Sequence, residues 1–193
     1  MYTINEEIIY EQIIKKSLFI CRLYPVNSLI DALGYLDKIK KENMDATHNC
    51  YAYIIGSSIF KSSDDGEPSG TAGLPIFEVL NKNHLTNIIC IVTRFFGGIK
   101  LGAGGLVRAY ANSTSGAIKK ANLIEIINYK IMSIEFSYEY TNIINSYLNN
   151  FSMLDKAFTD KVSLIYKIPE DQIDEITLYL INITKNNIKI EVS

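Results

Sequence analysis

Cysteine, histidine and long apolar runs are all scarce in this chain of 193 residues. Cys21, Cys50 and Cys90 are odd in number, widely separated and set among apolar neighbours, and no C-x-x-C pair occurs. That argues against a disulfide framework or a zinc or redox motif, and predicts reduced, packed thiols. The aliphatic runs fall far short of the ~20 residues needed to span a bilayer. Met1 to Glu7 is acidic and polar, unlike a secretory signal, so we read the chain as cytoplasmic, with no membrane partner. Neither G-x-S-x-G nor H-E-x-x-H is present, and no catalytic residue is assigned.

Acidic residues are missing from one long stretch. Between Val79 and Ile124 there is no Asp or Glu, while Lys82, Arg94, Lys100, Arg108, Lys119 and Lys120 all fall inside. A formal net charge of -2 gives no global attraction to nucleic acid, so an anionic partner would have to meet this local basic segment. Asn128 to Ser193 has the opposite balance, six Lys against nine Asp and Glu, a net of -3. A hydrophobic content of 48% with 21% charged residues fits a globular protein of one domain or two small ones.

Five glycines, Gly97, Gly98, Gly102, Gly104 and Gly105, crowd the middle of the basic segment, between an apolar strand pattern (Ile88 to Val92) and an amphipathic helix pattern. Each glycine costs about 0.5 to 1 kcal/mol relative to alanine within an element. Such a cluster implies positive φ angles or close approach by a ligand or another element. Loop amides and a helix N-terminus bind phosphate or carboxylate groups, and Arg94, Lys100 and Arg108 would add charge. The spacing fits neither standard nucleotide template. Ala103-Gly104 stand where a P-loop has Lys-Ser/Thr, and Gly102 to Val107 lacks the last glycine of a dinucleotide fingerprint. A tight structural crossing is the alternative.

Ahead of the basic segment lies an acidic turn, Ser62 to Gly73. Asp64, Asp65 and Glu67 are read either as ligands for a Mg²⁺ bridging to a bound phosphate, or as turn formers and ion-pair partners of the basic loop. Thr71 is placed as the cap of the following helix, which continues through Ile76, Val79 and Leu80. His48, at a strand start, is a polar partner or a packed histidine. Phe95-Phe96 offer either core packing or base stacking.

The remaining periodicities predict an α+β chain in two domains, 1–127 and 128–193. Alternation from Ile4 to Tyr10 and from Leu18 to Tyr24 predicts a hairpin. Asn27 is read as the N-cap of a helix with the stripe Leu29, Leu33, Leu36 and Ile39. His48 to Gly56 reads as a strand. The helix after the glycine loop carries Val107, Tyr110, Ala111, Thr114, Ile118 and Ala121 inward and Arg108, Asn112, Ser115 and Lys119 outward. From Tyr129 onward the order β-α-β-β-α-β matches the split βαβ, ferredoxin-like plan.

Lys16-Ser17-Leu18-Phe19-Ile20, Asp45 to Cys50, Ser63 to Gly73 and Arg94 to Tyr110 resemble, in order, the signature segments of the YigZ/IMPACT family. Leu18 stands where the resemblance implies a basic residue. The resemblance implies a first domain like the second domain of a small-subunit ribosomal protein and domain four of elongation factor G. It implies a second, ferredoxin-like domain similar to that factor's C-terminal one. It also implies a link to translation, since the eukaryotic branch restrains a starvation-responsive kinase by competing for its activator. The expectation is therefore a binding or regulatory protein rather than an enzyme, recognising RNA or a ribosome-associated protein through Arg94, Gly97, Gly98, Lys100, Gly102, Gly104, Gly105 and Arg108. A Mg-dependent enzyme acting on a small-molecule phosphate, and a protein-interaction module with structural loops, are the two alternatives.

Overall fold

The computed structural model describes residues 1–193. They divide into two compact units, Met1–Ile126 and Ile127–Ser193.

The first unit runs β1 (Tyr2–Thr3), β2 (Ile8–Ile14), β3 (Ser17–Pro25), α1 (Leu29–Glu42), β4 (His48–Ile55), β5 (Ile59–Ser63), α2 (Gly73–Lys82), β6 (Ile88–Phe95), α3 (Ala103–Lys120) and β7 (Ile124–Glu125). Five strands form an antiparallel sheet in the order β2-β3-β6-β4-β5, and β1 pairs separately with β7. β6 lies at the centre, and its continuous apolar run follows from having both faces covered. On one face Cys90 and Val92 meet α2 and α3 through Ile76, Leu80, Ala109 and Tyr110. On the other, Ile89 and Ile91 share a cluster with Ala32, Leu36 and Ile39 of α1.

The β2–β3 hairpin forms as predicted, through a two-residue turn in which Lys15 (φ 47°) and Lys16 (φ 65°) both take positive φ. That matches the primed turns that suit twisted hairpins, although Asn-Gly would adopt them more readily.

Several local expectations shift. The N-cap of α1 is Ser28, not Asn27. Its hydroxyl accepts from the Asp31 amide, while the Asn27 amide donates to the Asp31 carboxylate, a reciprocal box of the capping type. Leu29 and Leu33 are exposed and Ala32 takes their place inward. In α3 the buried arc is Leu106, Ala109, Tyr110, Ser113, Thr114, Ala117 and Ile118, so Val107 lies outside and small or hydroxylated residues replace it. Ser113 and Thr114 can be buried because each returns a hydrogen bond to the carbonyl four residues back. β4 ends at Ile55, and β5, with Ile59 and Phe60 exposed on a sheet edge, carried no readable alternation.

Thr71 does not cap α2. Its hydroxyl closes a turn onto the Pro68 carbonyl at 2.6 Å, and the N-cap position is Ala72, whose side chain offers no acceptor. The Asp64 carboxylate, from the preceding loop, takes that role. It accepts from the amides of Ala72 and Gly73 at 2.9 Å each and of Gly70 at 2.8 Å. Gly73 is required there because a Cβ would come within 2.5 Å of the Ser63 backbone nitrogen.

The second unit runs β8 (Tyr129–Phe136), α4 (Thr141–Leu148), β9 (Ser152–Phe158), β10 (Val162–Pro169), α5 (Ile173–Ile183) and β11 (Ile188–Val192). Its antiparallel sheet has the order β11-β8-β10-β9. This is the βαββαβ arrangement, with β10 inserted between the two strands joined by α4. Met132, Ile134, Phe136, Leu164, Tyr166 and Ile168 face Ile144, Leu148, Ile176 and Leu180 in its core.

Partial burial pushes the Asp64 carboxyl up, but the three amides outweigh it and hold the group below the usual carboxylate range. A depressed folded-state value means the stabilisation is complete above the unfolded-state value of about 3.9 and is lost as pH falls below it. We expect Asp64→Ala to lower stability by about 2 kcal/mol at pH 7, the upper range for a lost helix cap. The gap between wild type and variant should narrow below about pH 4. Denaturant midpoints at pH 7 and pH 3 measure both; an unchanged gap at pH 3 would contradict the assignment.

Candidate functional site

Three backbone segments meet at one end of the five-stranded sheet: the start of β4, the acidic loop, and the end of β6 with its glycine loop. β4 and β6 pair so that His48 lies opposite Arg94. The carbonyl of Arg94 also accepts from the Thr47 amide at 2.8 Å. The tip of the β2–β3 hairpin closes the other side. Ser17, fully buried, accepts from the Gly97 amide at 3.2 Å and from Arg94 Nη2 at 3.4 Å. Gly97 lies so close to Lys16 that any Cβ would overlap its carbonyl group.

Glu67 is the centre of the arrangement. Its side chain is 3% exposed, and Oε1 accepts from Arg94 Nη1 at 2.6 Å and from the Tyr110 hydroxyl at 2.8 Å. Oε2 lies 3.8 Å from His48 Nε2. The opposite ring nitrogen, His48 Nδ1, sits 2.8 Å from the Asp65 carbonyl. A carbonyl can only accept, so Nδ1 carries the proton and Nε2 is the nitrogen turned toward Glu67.

Arg94 is equally enclosed, its guanidinium 5.4 Å from the ring centroids of both Phe19 and Phe96. Its Nε is the single buried side-chain nitrogen or oxygen without a hydrogen-bond partner. The polar chain extends inward from Tyr110 to Cys50, whose Sγ lies 3.3 Å from the Tyr110 hydroxyl and 2.9 Å from the Asp64 carbonyl. Burial pushes the Cys50 thiol up to about 12; the Tyr110 hydroxyl opposes it, and the nearby Glu67, Asp65 and Asp64 charges each add a smaller upward push. Burial likewise drives the Tyr110 phenol well above its usual value. Both groups stay protonated at neutral pH, which removes a thiolate nucleophile from this site.

A cavity of about 360 Å³ opens beside this cluster. His48, Glu67 and Arg94 form its inner wall, Thr47, Phe96 and Lys100 lie on its exposed rim, and Gly102, Ala103 and Leu106 bring the start of α3 to its edge. The N-cap of α3 is Gly102 (φ 74°), with no side-chain cap and no acidic residue in the first turn. The carbonyl of Gly102 accepts from the Gly105 and Leu106 amides. The amides of Ala103 and Gly104, with no preceding turn, have no helical acceptor.

Arg94, Lys100, Gly102 and the His48–Glu67 pair thus come together around one cavity. Gly98 (φ 84°) and Gly102 shape the loop, Gly97 permits the crossing with Lys16, and Gly105 makes room for Leu101. Gly104 and Arg108 stand exposed in the first turns of α3, and a Cβ at Gly104 would meet only Arg108 Nη1, at 3.8 Å.

Two expectations need correction. Arg94 is not a surface anion contact, because its charge is buried against Glu67. Nor do Asp64, Asp65 and Glu67 converge as Mg²⁺ ligands. Asp64 is occupied by three backbone amides, and Asp65 binds Lys40 Nζ and the Asn49 amide, each at 2.7 Å. Glu67 binds Arg94 and Tyr110, and no His, Cys, Asp and Glu group is disposed to hold a metal ion. The roles of Ser17, Cys50 and Tyr110 were not foreseen. No local spacing links Tyr110 to Glu67, 43 positions away.

Together these features define an α+β protein with a buried carboxylate–guanidinium pair beneath an uncapped helix N-terminus. The sequence model of the Impact N-terminal domain matches residues 15–118, and the chain belongs to the IMPACT family. It is 39% identical to the IMPACT family member YvyE of Bacillus subtilis over 97% of this chain and 89% of that one. It is 35% identical to an IMPACT family member of Haemophilus influenzae, over 86% and 84% of the two chains. With rat Protein IMPACT the identity is 35%, over 46% of this chain and 29% of that protein. A crystal structure described as a hypothetical protein superposes with a TM-score of 0.65 at 26% identity, covering 98% of this chain and 95% of that one.

Removing one member of a buried ion pair leaves an uncompensated charge and costs about 3 to 5 kcal/mol. We expect Glu67→Gln and Arg94→Met each to fall in that range, and the double variant to lose clearly less than the sum. Equilibrium denaturation of all four proteins measures the coupling. Strict additivity would show that the pair does not act as a unit.

Proposed function

We propose that this chain is a non-catalytic, translation-linked binding protein that recognises RNA phosphates through the exposed basic side of the glycine loop and α3. The observation carrying this reading is the uncapped start of α3, flanked by exposed Lys100 and Arg108 within a stretch free of acidic residues. Helix N-terminal amides and the helix dipole favour an anion at that point. Lys and Arg beside it supply the counterion-releasing contacts that dominate nucleic-acid affinity. Arg94 contributes from within, by holding the loop, rather than by touching the partner. The link to translation rests on the family resemblance.

The test is binding of single-stranded RNA to wild type and to the Lys100→Ala/Arg108→Ala variant across a salt series. Each lost phosphate contact lowers the slope of log affinity against log salt by about 0.7, so the double variant should flatten it by about 1.4 and weaken binding at every salt. An unchanged slope, or RNA binding that survives intact, would overturn the proposal.

A further inference from the structure

Two acceptors on the inner wall of the cavity have no donor. Glu67 Oε1 is taken by Arg94 and Tyr110, whereas Oε2 makes no hydrogen bond and lies 3.8 Å from His48 Nε2. Arg94 Nε is the one sealed side-chain nitrogen or oxygen that lacks a partner. Glu67 Oε2 is therefore not sealed, and it opens into the cavity that Glu67 lines. His48 lines the same cavity with its side chain 19% exposed, and because Nδ1 donates to the Asp65 carbonyl, Nε2 presents a bare lone pair. A ligand that displaces water here must bring a donor for each, since a carboxylate oxygen left dry and unpaired costs more than an ordinary lost hydrogen bond.

This pattern selects among ligands. Arg94 and Lys100 against Glu67 leave the lining with a net positive charge, which disfavours an ammonium or guanidinium group. What fits is a neutral group carrying two neighbouring N–H donors. Among the RNA bases guanine has that edge, N1–H beside the 2-amino group, with the O6 acceptor next to them. Adenine and cytosine set a ring-nitrogen lone pair beside their amine, and uracil flanks a single N–H with two carbonyls. Each would turn a lone pair toward the Glu67 carboxylate. The rim supplies the remaining contacts. Thr47 Oγ1 accepts from the Phe96 amide at 2.9 Å and keeps its own proton for an acceptor such as O6. Phe96, 46% exposed, stands at the mouth as a ring on which a base can stack. Pro68, Leu101 and Leu106 add apolar wall, and the volume of about 360 Å³ is at the small end of the range for ligand pockets.

We infer that this cavity takes the base of an unpaired guanine nucleotide, with N1–H at Glu67 Oε2, the 2-amino group at His48 Nε2, and the ring against Phe96. N1–H, the more acidic donor, goes to the charged acceptor. Single-stranded RNA is read in this way, by the Watson–Crick edge of a splayed base. The inference rests on the RNA reading for the source of the guanine and adds base specificity to it. A free guanine nucleoside presents the same edge, and the test separates the two sources.

The experiment is calorimetric titration of the full chain with uridine oligomers that carry one central guanine, hypoxanthine or adenine, and with guanosine alone. Hypoxanthine keeps N1–H and O6 but lacks the 2-amino group, adenine reverses the edge, and all three are purines that stack. For wild type we expect guanine to bind at least about tenfold tighter than adenine, the discrimination of a good two-point base contact, with hypoxanthine in between. His48→Phe should bring guanine down to the level of hypoxanthine, and Phe96→Ala should weaken the guanine oligomer severalfold. The base series on wild type decides the matter even if a variant folds poorly.

Equal affinity for the three oligomers overturns the inference and leaves the backbone proposal standing. Tighter binding of adenine than guanine also overturns it, as does a guanine preference over hypoxanthine that a folded His48→Phe retains. Saturable binding of guanosine with no affinity for any oligomer supports the inference, identifies a free nucleoside as the source and overturns the backbone proposal. Binding of none of the four overturns both.

Discussion

The buried contact between Glu67 and Arg94 is the constraint on which the cavity-bearing end of the first unit depends. Neither charge is tolerable alone in a site this enclosed, since desolvation of an unpaired ion costs several kcal/mol. Each therefore fixes the segment that carries it. Arg94 ends the central strand, so Glu67 is drawn in from a loop that would otherwise be solvated, and Tyr110 is drawn in from α3 by the second lone pair of the same oxygen. Loop, strand and helix become one rigid unit through a single carboxylate. The cost of burial is offset by hydrogen bonds rather than by charge alone, which is the condition under which a buried pair can be maintained.

This dependence explains what was legible in the amino-acid sequence. Periodicity revealed the β2–β3 hairpin, the central strand at Ile88, the helices and the βαββαβ order of the second unit, because each is an expression of which face is buried. In α3 it placed Tyr110, Thr114 and Ile118 inward, where they lie, but put Val107 in the stripe and missed Ser113, which is buried by bonding to its own helix in a way no hydropathy pattern registers. The glycine loop and the acidic loop both stood out by composition. Their relationship did not, because the same letters describe carboxylates around a metal and carboxylates bound to amides and a guanidinium. Only the positions of Arg94 opposite His48, and of the Asp64 oxygens against α2, decide between them.

The glycines divide in the same way. Gly97 and Gly73 are dictated by neighbours inside the fold, the Lys16 backbone and the Ser63 backbone. Gly104 is not. Nothing in the first unit crowds it, and as a helical position it costs stability that alanine would restore. A sequence reading that treats all five loop glycines as one anion signature merges two causes, one of them purely steric.

The N-termini of α2 and α3 are the sharpest comparison in the molecule. Both helices begin beside the same buried cluster, and neither has a capping side chain at its own N-cap position. At α2 the chain supplies its own anion, and Asp64 satisfies three amides from a loop held in place by Cys50 and the β4 start. At α3, a helix of 18 residues, no acidic side chain lies in the first turn, and none occurs anywhere from Val79 to Ile124. A fold that caps one helix with an internal carboxylate has the means to cap its neighbour. At α3 the first-turn amides and the positive end of the helix dipole stay uncompensated by any side chain of that turn, with Lys100 beside them, and that local excess of positive potential is the feature on which the proposed RNA contact relies.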